Sequence, residues 1–453
     1  MEHHQANARR KQVRAAGIAS ITGWAMDLYD LTIILYLAPT IGPLLFPSHN
    51  ETLQLTFVYA SFAVTLLFRP LGSALFGAYA DRNGRKHAMM FAILGVGLST
   101  AFMGAVPTYA AIGFAAPIIF LVLRMIQGVF VGGVVASTHT LGTESVSPKH
   151  RGLMSGLVAG GGAGAGAVVA SIVYFTVSAI VPDEDFSVYG WRVMFFTGIL
   201  TAAFSFYIYR RTEESPLWQG KQTDPIARKS PVREIFGPRY RATTLLNIAL
   251  AAGGATAYYL TVGFFPTFFG KQLGIDKSTA AIILVIANLG VIAGGVLGGH
   301  LSDRIGRRSV FLWFGIPNVI ALPVLYLWMA SLDSYSVVLI TVIATVMAMS
   351  VMAASAPTLI FLNERFPTEI RATGTGLSWN IGFAIGGVTP AIVTATSPEV
   401  SDIPLRLAIA ITIAAVIFLL AALRAGETRH LGLGESDPAE VSTRLDSHAK
   451  DAV

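Results

Sequence analysis

Gly77-Ala-Tyr-Ala-Asp81-Arg82-Asn-Gly84-Arg85-Lys86 separates two long apolar runs, and Gly299-His-Leu-Ser-Asp303-Arg304-Ile-Gly306-Arg307-Arg308 separates two more. The two stretches share a Gly-x-x-x-Asp-Arg-x-Gly-Arg-basic pattern. A second pair, Glu144 with Arg151-Gly152 against Glu364 with Arg371 and Gly374, recurs at almost the same interval that carries Asp81 to Asp303. Two independent pairs agreeing this closely mark a duplicated unit. The unit is membranous. Of 453 residues 53% are apolar and only 13% charged, against about 25% charged in a soluble domain, and mean hydropathy is +0.62. The charges fall in short bursts between apolar runs, as in a chain that threads a bilayer repeatedly.

A spanning helix needs about 20 apolar residues. Six spans are expected near 17–46, 54–80, 87–106, 113–142, 153–181 and 191–211, and six more near 241–269, 277–301, 309–330, 335–361, 372–396 and 403–424. The chain then divides into an N-terminal segment 1–16, a six-helix bundle 17–211, a polar central loop 212–240, a second bundle 241–425 and a polar tail 426–453. The basic, polar N-terminus shows no cleavable signal, so span 1 reads as a retained helix. Lys and Arg cluster before span 1, after spans 2, 4, 8 and 10 and around the central loop, whereas the opposite loops hold Glu51, Asp183, Glu184, Asp185 and Asp333, with Lys271 and Lys277 as exceptions. The positive-inside rule therefore places both termini and the central loop in the cytoplasm. It also accounts for the net charge of +6 without a nucleic-acid partner. The absence of cysteine excludes disulfides and thiolate chemistry.

The twice-repeated loop element resembles the signature of the major facilitator superfamily, and the resemblance extends over the whole chain. It implies twelve transmembrane helices in two pseudo-symmetric six-helix halves that rock about a midplane site. It also implies that Asp81, Arg82 and Arg85, with Asp303, Arg304 and Arg307, latch the cytoplasmic side, together with Glu144, Arg151, Glu364 and Arg371. Further motifs resemble the metabolite:proton symporters and neighbouring sugar and organic-acid porters. They are Phe68-Arg69-Pro70-Leu71-Gly72, Arg124-Met-Ile-Gln127-Gly128, Gly190-Trp191-Arg192, Glu213-Glu214-Ser215-Pro216, Trp379-Asn380 and Gly23-Trp24-Ala-Met-Asp27-Leu-Tyr29-Asp30. Those symporters usually carry Glu directly after the Gly132-Gly133 pair; here the position is Val134, so that residue's proton-carrying role does not transfer. His139 is the candidate replacement. It falls roughly 60° around the helix from Arg124, with a hydrogen-bonded packing residue as the alternative.

Ionisable groups at bilayer depth cost about 2.5–3.5 kcal/mol each on insertion scales and need a reason. Asp27, Asp30 and Arg124 fall near mid-depth, and Arg69 nearer the cytoplasm, where it can serve the gate. The expected chemistry is a proton relay through Asp27, Asp30, Arg124 and His139, with Arg124 also clamping a substrate anion in competition with Asp27 or Asp30. Static Asp–Arg pairs are the structural alternative. Tyr29, Gln127, Tyr258, Asn288, Trp379 and Asn380 complete the candidate substrate site. No zinc spacing, nucleophile elbow or phosphate loop argues for an enzyme. The sequence thus points to a proton-coupled uptake transporter for a small organic anion, a mono- or dicarboxylate. A zwitterion (betaine-like) or sugar/polyol symporter is the alternative, and an exporter or antiporter a further one. No cofactor is expected beyond the coupling proton. The expected partners are the solute, protons and lipid, for a monomer in the inner membrane of a prokaryote.

Overall fold

A computed structural model describes the backbone of residues 2–83, 85–203, 231–332, 336–367 and 370–431. Within these, the side chains of residues 2–16, 19, 77–78, 80–86, 89, 135–142, 144–145, 183, 231 and 372 lie outside the description, as do residues 204–230 of the central region and 432–453 of the tail. Every described element is helical. We number the principal helices α1 (Glu2–Leu45), α2 (Glu51–Asn83), α3 (Arg85–Ala105), α4 (Ala115–Ser145), α5 (Arg151–Gly156, continuing to Ile180), α6 (from Trp191–Phe196 onward), α7 (Arg241–Leu260), α8 (Lys277–Ile305), α9 (Arg307–Ala330), α10 (Val337–Ser355 with Thr358–Glu364), α11 (Arg371–Ala395) and α12 (Ile403–Arg424). Ten of these carry described stretches long and apolar enough to cross a bilayer. The shorter apolar Met90–Ala105 within α3, and α6, which runs into residues outside the description, complete the twelve. The backbone of residues 2–16 is helical and continuous with α1.

The packing repeats when each helix number is advanced by six. Within the halves α1 packs on α5, α2 on α4 and α3 on α6, matched by α7 on α11, α8 on α10 and α9 on α12. Between the halves α2 lies against α11, and its counterpart α8 lies against α5. The protein is therefore an all-α membrane protein of two pseudo-symmetric six-helix halves, with a core at their seam.

Three spans are interrupted where the seam needs irregular backbone. α5 opens into a π turn at Leu157–Gly162, a run of small residues. α7 ends its regular part at Leu260 and resumes as Phe265–Thr267 and a π turn Phe268–Gln272. α10 breaks between Ser355 and Thr358, around Pro357, which lacks an N–H. Freed carbonyls inside a membrane must find donors. The Tyr326 hydroxyl donates to the Leu260 carbonyl at 2.8 Å. The Ser155 hydroxyl of α5 donates to the Ala356 carbonyl at 2.9 Å.

Candidate functional site

A cavity lies at the seam. Its walls include Trp24 and Leu28 of α1, Ala159 and Ala163 of α5, Leu250, Ala251, Gly254, Ala255 and Tyr258 of α7, Met352, Ser355 and Thr358 of α10, and Trp379 and Phe383 of α11. Among the described residues its lining holds no charged side chain. It is an aromatic chamber. The Trp379 and Phe383 rings stack at a centroid distance of 4.1 Å, and Trp24 leans on Trp379 at 5.9 Å and 58°. Trp24 and Trp379 come from opposite halves, so the chamber exists only where the halves meet.

Beside the chamber, within the N-terminal half, lies a buried charge group. Arg69 of α2 donates to Asp27 of α1 at 2.8 Å, both side chains 1% exposed. Arg124 of α4 donates to the Gln127 side-chain oxygen at 2.6 Å and faces the Ser61 carbonyl at 3.4 Å. Gln127 in turn donates to the Thr100 hydroxyl at 2.7 Å. Asp30 is 1% exposed, and among the described residues neither of its oxygens has a hydrogen-bond partner. The Thr100 hydroxyl beside it gives its proton to the Val96 carbonyl. The expected Asp27–Arg124 partnership is therefore corrected: Arg69, assigned to the gate, is the partner of Asp27. On the side opposite the termini α1 ends at Leu45 and α2 begins at Glu51. Asp27 and Arg69 stand equally far from those two ends along their helices, so the two reach the same depth.

The other expected substrate residues divide. Tyr258 and Trp379 line the chamber. Tyr29 points away from it and hydrogen-bonds to the Thr197 hydroxyl of α6. Asn288 of α8 donates to the Tyr36 hydroxyl of α1 at 2.9 Å, joining the halves on the side of the chamber away from the termini. Asn380 reaches Ser73 at 3.5 Å, also across the seam. Trp24, Phe383 and Thr358 were missed; Trp24 sits inside a quoted motif, but an aromatic residue in a span reads first as packing.

Contacts close the chamber at both ends. At the end opposite the termini, Lys271 of the α7 extension donates to Glu51 at 2.8 Å, Asn50 to the Pro398 carbonyl at 3.2 Å, and Thr56 to Thr394 at 2.9 Å. At the end bearing the termini, both carboxylate oxygens of Asp303 accept the backbone N–H groups of Gly152 and Leu153, each at 2.8 Å. An anion there meets the positive end of α5. Arg307, 1% exposed, ties Asp303 (3.1 Å) to Glu364 (3.0 Å). Glu427, just beyond α12, accepts the backbone N–H groups of Arg307 and Arg308 at 2.9 and 3.0 Å, and Thr428 donates to Glu364 at 2.6 Å. The start of the tail thus joins this cluster, which its charges alone did not reveal. Of the expected gating residues, Asp303, Arg307 and Glu364 come together. Arg151 opens α5, and Arg371 donates to the Asn363 and Phe366 carbonyls. The Arg304 side chain is exposed, and its carbonyl accepts from Arg429. The side chains of Asp81, Arg82, Arg85, Glu144 and His139 lie outside the described residues.

With this geometry in view, the profile of the Major Facilitator Superfamily matches residues 17–391. The chain belongs to that superfamily. A "Proline/betaine transporter" of Salmonella typhimurium is 28% identical over 443 residues, covering 94% of this chain and 86% of that protein. A "Putative proline/betaine transporter" of Staphylococcus aureus is 29% identical over 419 residues, covering 92% and 88%. Among solved structures, the proton:xylose symporter XylE bound to 6-bromo-6-deoxy-D-glucose superposes with a TM-score of 0.73 at 17% identity, covering 94% of this chain and 98% of that one. A partially occluded inward-open form of XylE from E. coli gives 0.69 at 17% identity, covering 93% and 100%. These two share the fold of this Major Facilitator Superfamily member.

Proposed function

We propose that this chain takes up a small zwitterion, a betaine- or proline-like compound, together with protons, by alternating access through the seam chamber. The observation that carries the reading is the chamber itself, aromatic and without a charge among its described lining residues. A mono- or dicarboxylate would need a cationic clamp. Arg124, the expected clamp, is not among the residues that line the chamber, and two of its nitrogens bond Gln127 and a carbonyl within its own half; Arg69 pairs with Asp27. A zwitterion carries no net charge into the chamber and escapes that need. The names of the relatives support the same choice. The expected carboxylate substrate therefore gives way to the zwitterion alternative.

Proton coupling falls to Asp30. An ionised carboxylate held without a donor at bilayer depth is costly, so this side chain is the place where the occluded form can hold a proton. Arg124 on the neighbouring helix can stabilise the ionised form once the halves move. Asp27 holds Arg69 and has the structural role. The protein acts as a multi-pass protein of a bacterial inner membrane, with both termini cytoplasmic and the monomer as the working unit. The two gates open in turn.

The test is uptake into proteoliposomes under an inside-alkaline pH gradient, with labelled betaine and proline beside lactate, citrate and xylose and an ionophore control. Uphill accumulation of betaine or proline, abolished by the ionophore, is the expected result. Accumulation of a carboxylate or xylose alone would refute the reading.

A further inference from the structure

We infer that the chamber holds the ammonium end of its solute against the rings of Trp24, Tyr258, Trp379 and Phe383, and selects N-alkylated over primary ammonium groups. The inference rests on the zwitterion reading above and adds the recognition chemistry. An ammonium cation inside the membrane needs either a carboxylate, a set of acceptors, or ring faces. The described lining has no carboxylate. Its hydroxyls are few, and that of Ser355 already donates to the Val351 carbonyl at 2.7 Å. A primary ammonium brings three N–H donors, and donors buried without acceptors are costly. A trimethylated nitrogen brings none. Its charge is spread over methyl groups, which pack against ring faces and are attracted by their quadrupoles.

The rings are placed for this. Trp379 and Phe383 make one wall as a face-to-face stack at 4.1 Å and 27°, which leaves each ring one outer face. Trp24 comes from the other half at 58° to that wall. Tyr258 closes a third side, its ring set edge-on to Tyr259 at 5.8 Å. The carboxylate end has its own donor: Thr358, at the break of α10, is 2% exposed and its hydroxyl has no partner among the described residues. Because the wall and Trp24 belong to opposite halves, a cation resting against both also favours the closed seam, which links recognition to the transport cycle.

The experiment measures binding to the purified full chain by calorimetry for glycine, sarcosine, dimethylglycine and betaine. It includes 3,3-dimethylbutanoate, which has the shape of betaine without the positive charge. Affinity should rise along the methyl series, with betaine at least about tenfold tighter than both glycine and 3,3-dimethylbutanoate. Trp24→Leu and Trp379→Leu should each weaken betaine by about tenfold, while Trp24→Phe and Trp379→Phe retain most of the affinity. Equal binding of glycine and betaine, or of betaine and 3,3-dimethylbutanoate, overturns the inference; neither comparison depends on a variant folding. Uptake of zwitterions with no methyl preference would sink the aromatic cage and leave the symport reading standing. No zwitterion moving at all would sink both.

Discussion

Asp27 and Asp30 stand close together on α1, yet their surroundings assign them different work. Asp27 has a full charge partner in Arg69 at 2.8 Å, whereas Asp30 has no paired cation and only the Thr100 hydroxyl beside it. Removing one member of a buried pair strands the other and costs about 3–5 kcal/mol. Asp27→Asn should therefore lower the thermal unfolding midpoint of the detergent-solubilised protein by several degrees, whatever it does to transport. Asp30→Asn leaves no charge stranded. It should keep the wild-type midpoint, abolish accumulation driven by a pH gradient and preserve solute exchange. If Asp30→Asn still accumulates solute, the proton travels elsewhere. This assignment was only half legible beforehand. Hydropathy and helical spacing put both acids and both arginines inside the membrane, because few other residues cost as much there. Pairing depends on which helices touch, and spacing along one helix does not fix that. The chamber shows the same limit. Trp379 and Tyr258 were singled out from the sequence, but the aromatic wall is assembled from α1, α7 and α11, and a tryptophan looks the same in a span whether it packs or recognises.

At the scale of elements, α5 and α8 approach each other backbone to backbone. A Cβ placed on Gly156 would lie 2.0 Å from the Gly295 carbonyl oxygen, and one on Gly295 would lie 2.6 Å from the Gly160 Cα. The obstacle is backbone, so it cannot rotate away. Gly156→Ala should hold α5 and α8 apart at the end bearing the termini and so disfavour the occluded form. Active uptake should fall by at least about tenfold, the equivalent of a shift of about 1.4 kcal/mol between forms. Gly161→Ala, five residues on in the π turn and with its nearest neighbour 4.0 Å away, is the control and should transport normally. Normal uptake by both variants would mean that the two helices never need this approach. The glycine richness of span 5 was plain in the sequence and suited a packing face. What it packs against was not, since the partner lies in the other half of the chain. The broken helices were likewise hidden. Pro266 and Pro357 flag α7 and α10, but proline is also tolerated inside α2, α9 and α11 without a break.

Across the whole molecule the two closures differ in kind. The duplicated loop signature made the two halves legible, but its charges are the same in type at both repeats and do not show how strongly each end is held. At the end bearing the termini, Arg307 and Glu364 are buried, Asp303 is seated on the start of α5, and Glu427 caps α9. The other end relies on Lys271–Glu51, with side chains 25% and 53% exposed, and on exposed or half-buried polar contacts. Exposed ion pairs contribute only about 0–1 kcal/mol, so from the occluded form the end opposite the termini should open first. The chain has no cysteine, which makes the motion directly testable. Glu51→Cys and Lys271→Cys should each transport near the wild-type rate, because the pair contributes little. In the double variant a short, reducible bifunctional thiol reagent should join the halves and stop uptake, and reduction should restore it. Across the termini-bearing end, Asp303→Asn removes a charge worth about 0.3–1 kcal/mol against the α5 dipole and should raise labelling of an Ala159→Cys reporter in the chamber from that side. If the cross-linked protein transports at full rate, the halves do not separate at the Glu51–Lys271 end, and rocking about the aromatic chamber is not how this chain moves its solute.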